Sequence, residues 1–259
     1  MKNIINLKDI QESNYKPDYF DVKILTSNKI SEKIYQDLID PEVDIEYSLG
    51  FDKVAEDFMC RKNELTIIAG QNGSGKSLFS NQVSLSLLKQ KQRSLIISLE
   101  MPVKNNLLRF YRQFSGKNIY KLSSFEQRKI ISEFDDFSQD NLFFFDFVGN
   151  INIALIYKLL HYAKNKLKID FFIIDSLMKF DISEDDYNQQ KAIINVLSSL
   201  AKDLNIHIFL IHHVRKPNSQ NTYSVPTKYD LKGTSAISDL SDNVPVSYTH
   251  LTLPTIYSV

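Results

Sequence analysis

Gly70-Gln71-Asn72-Gly73-Ser74-Gly75-Lys76-Ser77 fits the spacing G-x-x-x-x-G-K-[ST] in full, a pattern with definite chemistry. Glycines let backbone N–H groups converge on phosphate oxygens without Cβ obstruction, and a helix opening there points its dipole at the negative charge. Lys76 is placed to reach β- and γ-phosphates, and the Ser77 hydroxyl to ligate Mg²⁺. The chain holds seven glycines, and Gly70, Gly73 and Gly75 fall within this one loop. Residues 70–77 are therefore expected to bind a nucleoside triphosphate.

Further candidate groups stand at the ends of apolar runs. Asp175 follows Phe171-Phe172-Ile173-Ile174 and could set a carboxylate beside the Mg²⁺. Glu100 follows Leu95-Ile96-Ile97-Ser98-Leu99; it could polarise a water attacking the γ-phosphate or be an exposed strand end. His212 and His213 close Ile206–Ile211, where a polar side chain could sense the γ-phosphate or serve the core. Arg215, Lys216, Lys228 and Lys232 surround a segment whose only acid is Asp230. That segment reads as a long mobile loop, either gripping a phosphate backbone or simply solvated. Arg109 and Arg112, downstream of Glu100, are either adenine contacts or solvated helix-surface residues. There is no G-x-S-x-G elbow, no H-E-x-x-H, no N-K-x-D and no L-S-G-G-Q.

The elements that must position these groups follow a strand–helix alternation. Leu65–Ala69, Leu95–Leu99, Leu142–Phe145, Phe171–Ile174 and Ile206–Ile211 are apolar runs suited to strands covered on both faces. Between them lie helical patterns, from Ser77 to about Lys89 and over Ile193, Leu197, Leu200 and Leu204. The expectation is a doubly wound α/β core, a mostly parallel sheet flanked by helices, with ligands at the carboxyl ends of the strands. Residues 1–45 form an N-terminal segment with a short amphipathic helix over about 30–39, packed on its own domain or docked on a neighbouring subunit. Residues 46–245 are the expected ATPase domain. The uncharged stretch 246–259 looks like the translation of a sequencing adapter, which would make the natural chain run on beyond Pro245; the other reading is a natural tail.

With 31 basic and 31 acidic residues in 259, any positive surface must be local. The hydrophobic fraction of 43% suits a chain with a sizeable core. Cys60 is the lone cysteine, which excludes an internal disulfide framework and a cysteine-rich zinc site. No signal-peptide core and no membrane-length apolar run is present, so a cytoplasmic location, in a bacterium or a phage-infected host, is expected.

Four segments together resemble the hexameric RecA-type replicative helicases, the DnaB and Twinkle group. They are the phosphate loop, Ser98-Leu99-Glu100-Met101-Pro102, Ile173-Ile174-Asp175-Ser176, and His213-Val214-Arg215-Lys216-Pro217 followed by Asp230-Leu231-Lys232-Gly233-Thr234-Ser235-Ala236-Ile237. Leu49-Gly50-Phe51 also matches the start of that group's ATPase domain. The resemblance implies a RecA-like P-loop NTPase using ATP and Mg²⁺. It makes Glu100 the glutamate that activates water, Asp175 the Walker B aspartate and His213, rather than His212, the γ-phosphate sensor. It makes the loop from Arg215 to Gly233, with Lys216, Lys228 and Lys232, a grip on single-stranded DNA in the channel of a homo-oligomeric ring, a hexamer in that group. Primase or a helicase loader would be a further partner. Up to Pro245 the chain lacks the group's Lys-x-Arg finger, and too few residues precede the ATPase domain for a primase.

Two other functions share the phosphate loop and both carboxylates. One is a RecA- or KaiC-like ATPase that binds single strands or regulates a partner without unwinding. The other is a non-catalytic nucleotide-binding module. The Ser-Leu-Glu-Met and Asp-Leu-Lys-Gly-Thr segments favour the helicase.

Overall fold

The computed structural model describes residues 4–5, 27, 31, 35, 45–51, 58–183, 185–215 and 226–247. Its centre is a 7-stranded sheet. The strands are β1 (Ile4–Ile5), β2 (Leu65–Gly70), β3 (Ser94–Ser98), β4 (Leu142–Phe145), β5 (Phe171–Asp175), β6 (His207–His213) and β7 (Val246–Ser247), in spatial order β1-β4-β3-β5-β6-β2-β7. Every neighbouring pair is parallel. The helices are α1 (Lys76–Lys89), α2 (Val103–Ser115), α3 (Ser124–Ser138), α4 (Ile153–Leu167), α5 (Tyr187–Asp203) and the short α6 (Ala236–Asp239).

Parallel strands need crossovers, and these put helices on both faces. Alternate side chains of each strand therefore enter different cores. Leu65, Ile67 and Ala69 join Ile156, Leu159 and Leu160 of α4 and Ile193, Ile194 and Leu197 of α5. On the other face, Ile68, Ile96, Phe144 and Phe209 meet Val83 and Leu87 of α1, Phe110 of α2 and Phe134 of α3. Strand residues apolar at consecutive positions are the signature of this double burial, and the doubly wound reading holds.

The starting ends of the strands are locked by polar contacts. Asp170 accepts from Lys62 at 2.7 Å and Lys164 at 2.5 Å. His207, fully buried, bonds through its ring nitrogens to the Arg61 carbonyl and to Thr66 Oγ1. Ahead of β2, Gln90 at the end of α1 mimics a strand edge: its Oε1 accepts from Ser48 N at 3.2 Å and its Nε2 donates to Ser48 O at 2.9 Å. This fixes Leu49 and Gly50 against α1, where a Cβ on Gly50 would lie 2.8 Å from Ser86 Cβ.

Of the helix expected over 30–39, Ser31 and Tyr35 are described, both helical and exposed; the remainder, and Lys216, lie outside the described residues. Val246 and Ser247, the first residues of the stretch set apart at 246–259, lie beside β2 as β7. Ile67 N and Ala69 N already donate to Asn243 O and Pro245 O, at 2.8 and 3.0 Å, so two more residues extend that pairing.

Candidate nucleotide site

The carboxyl ends of β2, β3, β5 and β6 converge on the loop between β2 and α1. Gly73 and Gly75 take φ of 79° and 87°, the left-handed region where glycine is unstrained. Nothing lies within 4 Å of a Cβ built on either, so backbone conformation, not crowding, requires glycine there. Gly70 is different: a Cβ would fall 2.4 Å from Ser74 Oγ. Gln71, Asn72 and Ser74 complete the loop, with Ser74 N donating to Gln71 O at 3.2 Å. Together the open glycines and the first turn of α1 make a concave edge of N–H groups that suits a polyphosphate.

Lys76 is 7% exposed, and its Nζ donates to Gly70 O at 3.0 Å and Gln71 O at 2.7 Å. Burial pushes its ammonium below the ordinary lysine value, against the opposing pull of Asp175 and Glu100. Ser77 Oγ donates to Asp175 Oδ2 at 3.0 Å. Burial, and then the charge of Glu100, push the Asp175 carboxyl up; the Ser77 hydroxyl, Lys76 and Arg109 pull it back. A hydroxyl and a carboxylate side by side are hard oxygen donors of the kind Mg²⁺ takes alongside phosphate. The residues present fit that ion.

Ser98 pairs with Asp175 across β3 and β5, and Leu99 N donates to Asp175 O at 2.7 Å. That register sets Glu100 beside the end of β5. Glu100 is exposed and accepts from Ser176 Oγ at 2.9 Å. Ser176 itself is fully buried. Sequence reasoning missed it: a serine after a strand-end aspartate carries no signal until the register of β3 on β5 is known. Arg109, read as an adenine candidate or solvated residue, lies exposed on α2 with its charge acting on Asp175.

β6 reaches the same end. His213 pairs with Gly70 and His212 with Ala69. Consecutive strand residues face opposite ways, so the two histidines have different surroundings. His212 is 2% exposed and its Nε2 donates to the Lys232 carbonyl; burial holds it down at about 4. His213 is partly exposed, with its carbonyl accepting from Lys232 N at 2.9 Å. Arg215 is exposed and donates from Nη2 to Gly233 O at 3.0 Å. Lys228, also exposed, stands over the ring of Tyr229 with 5.3 Å from Nζ to the centroid. Lys76, Ser77, Glu100, Asp175 and the end of β6 are thus brought together, while for the Lys228 ammonium the contact seen among the described residues is with Tyr229.

Fold and site define a P-loop nucleotide-binding domain of RecA-like architecture. The family model described as the DnaB-like helicase C terminal domain matches residues 49–252, and the chain belongs to that family. The replicative DNA helicase DnaB of Helicobacter pylori is 26% identical over 195 residues, covering 72% of this chain and 40% of that protein. The chain thus spans under half the length of this curated relative. Among solved structures, an ATPase domain matches with TM-score 0.71 and 18% identity, over 88% of this chain and 84% of its own. A DnaB-like replicative helicase, solved to describe its interactions with primase, matches with TM-score 0.66 and 17% identity, over 86% of this chain and 57% of its own. At these identities the two structures establish the shared fold. No helix among the described residues is long and apolar enough to cross a membrane.

Proposed function

We propose that this domain is the motor of an ATP-dependent replicative DNA helicase, hydrolysing ATP at the interfaces of a ring and moving along single-stranded DNA. The observation that carries the reading is the meeting of Lys76, Ser77, Asp175 and Glu100 at one strand edge. Ser77 bonds to Asp175 at 3.0 Å, and Glu100 is held beside them by Ser176 at 2.9 Å.

In this reading the backbone of residues 70–75 cradles the phosphates and Lys76 stabilises the charge that develops on them. Ser77 and Asp175 would hold Mg²⁺, which when bound would supply charge neutralisation at the phosphates. Glu100 accepts a proton from the attacking water. His213, paired with Gly70 at the end of β6, senses the γ-phosphate and passes its presence to the loop bounded by Arg215 and Gly233, where Lys228 and Lys232 add positive charge. Family membership supports the ring, with single-stranded DNA in its channel and a primase or loader as partner. Zero formal charge is compatible, because a ring needs positive potential only in its channel.

The test is steady-state ATP hydrolysis with and without a single-stranded oligonucleotide. The reading expects Mg²⁺-dependent hydrolysis that rises with DNA and vanishes in Lys76→Ala. Nucleotide binding without hydrolysis would return the protein to a non-catalytic module.

A further inference from the structure

The neck of the basic loop is closed by its own backbone. Arg215 N donates to Asp230 O at 2.7 Å, and Val214 bridges Leu231 in antiparallel fashion. Lys232 is held at both backbone groups by successive residues of β6: its N–H donates to His213 O at 2.9 Å, and its carbonyl accepts from His212 Nε2. β6 in turn meets the phosphate loop, because Val214 N donates to Gly70 O at 3.3 Å.

On another side the neck meets a side chain of α5. Gln190 lies in the first turn of α5, 7% exposed, and its Oε1 accepts from Thr234 N at 3.1 Å. Gly233 is pressed against it with φ of 103°; a Cβ there would lie 2.3 Å from Gln190 Oε1 and 3.1 Å from Cδ. Gln190, His212, Lys232 and Gly233 also line a cavity together with Met178 and Ile182, in the segment that follows Asp175 and Ser176. The neck is therefore clamped between two elements that both return to the nucleotide site, β6 through Gly70 and α5 through the chain after Asp175.

We propose that Gln190 is a positioning residue that couples the nucleotide site to the DNA-binding loop by fixing the neck at Gly233 and Thr234. This rests on the helicase reading above. Gln190 lies outside the phosphate loop of residues 70–77 and is neither Ser77 nor Asp175. Its amide oxygen supplies the part-buried Thr234 N–H with an acceptor, and the absence of a side chain on Gly233 lets it approach. Without that acceptor the neck loses its hydrogen bond to α5, and nucleotide and DNA lose part of their mutual influence, which must weaken equally in both directions.

The experiment is ATP hydrolysis by the full-length protein titrated with a single-stranded oligonucleotide, in wild type, Gln190→Met and Gln190→Glu, with thermal unfolding of each. The methionine variant fills the space without a strong acceptor. It should keep its unstimulated rate and its KM for ATP, and need about tenfold more DNA for half-maximal stimulation. The glutamate variant keeps an acceptor oxygen and should recover most of the response. Gly233→Ala, which drives a Cβ onto Oε1, should mimic the methionine variant, and its effect should shrink in a Gln190→Ala background. That pair decides the matter if the methionine variant unfolds. A methionine variant that responds to DNA like wild type, or methionine and glutamate variants equally impaired, would overturn the inference. A wild-type protein whose hydrolysis ignores DNA would instead remove the helicase reading on which it stands.

Discussion

Ser77 and Asp175, 98 positions apart in sequence, are joined by a 3.0 Å hydrogen bond from the serine hydroxyl to the carboxylate. The contact follows from topology. α1 starts at the end of β2 and β5 lies two strands away in the sheet, with β6 between them. The hydroxyl in the first turn of the helix meets the strand-end carboxylate across that gap. Two hard oxygen donors so placed would suit a divalent ion.

Asp175 is where function and stability should oppose one another. Burial and the charge of Glu100 raise its carboxyl above the ordinary value, so at neutral pH its ionised form works against folding. Asp175→Asn should therefore raise the Tm of the nucleotide-free protein by roughly 2–4 °C, the shift that about 1 kcal/mol gives in a domain of this size. The same variant should lose Mg²⁺-dependent hydrolysis. Differential scanning calorimetry with and without MgATP checks both halves; a lowered Tm in the absence of ligand would contradict the first.

Glu100 and Ser176 should separate in kinetics. Glu100→Gln removes the proton acceptor and should lower kcat by about 10²–10⁴ while leaving ATP affinity in place. Ser176→Ala leaves the carboxylate but frees its orientation; kcat should fall about tenfold with KM unchanged. A Ser176→Ala protein with raised KM and normal kcat would mean that the serine serves binding, not the glutamate.

Acid should unfold the protein in a defined window. His207 and His212 are held at about 4 by burial, whereas an unfolded histidine titrates near 6.5. Between those values the unfolded chain binds more protons, so stability is full above about pH 6.5 and is lost as pH falls toward 4. The loss is at most roughly 3 kcal/mol per histidine. Urea unfolding at pH 7, 6 and 5 should show the midpoint falling, and His207→Gln should flatten its share. Equal midpoints at pH 7 and pH 5 would contradict the assignment.

At the starting ends of the strands, burial works against the Asp170 charge, but the hydrogen bonds from Lys164 and Lys62 outweigh it and hold the carboxyl below its usual value. Asp170→Asn leaves two ammonium groups short of their partner and should cost about 2 kcal/mol. Because Asp170 and the nucleotide site occupy opposite ends of β5, hydrolysis by the folded variant should be unchanged. A variant as stable as wild type in urea would show that solvent replaces the pair.

The phosphate loop and five of the strands could be read from sequence because their signals are local: glycine spacing in one case, runs apolar at every position in the other. β4 falls on the residues expected, Leu142–Phe145, and the other four shift by a residue or two. β1 and β7 could not be read, since two-residue strands carry no period and are specified by the open edges of β4 and β2. Glu100 and Asp175 were visible as strand-end carboxylates. Ser176 and Gln190 were not, because each acts on a residue at least 43 positions away that only the tertiary fold brings near. Position at a strand end did not separate His212 from His213, and only the family resemblance favoured His213; strand alternation makes His212 a buried bond to Lys232 and leaves His213 partly exposed.

The central claim is that nucleotide chemistry at Lys76, Ser77, Glu100 and Asp175 drives movement on DNA. Strand separation of a forked duplex by the full-length protein measures it directly. The account predicts ATP- and Mg²⁺-dependent unwinding in wild type and none in Lys76→Ala. Vigorous ATP hydrolysis by a protein that leaves the fork paired would contradict it and put a single-strand-binding or regulatory ATPase in its place.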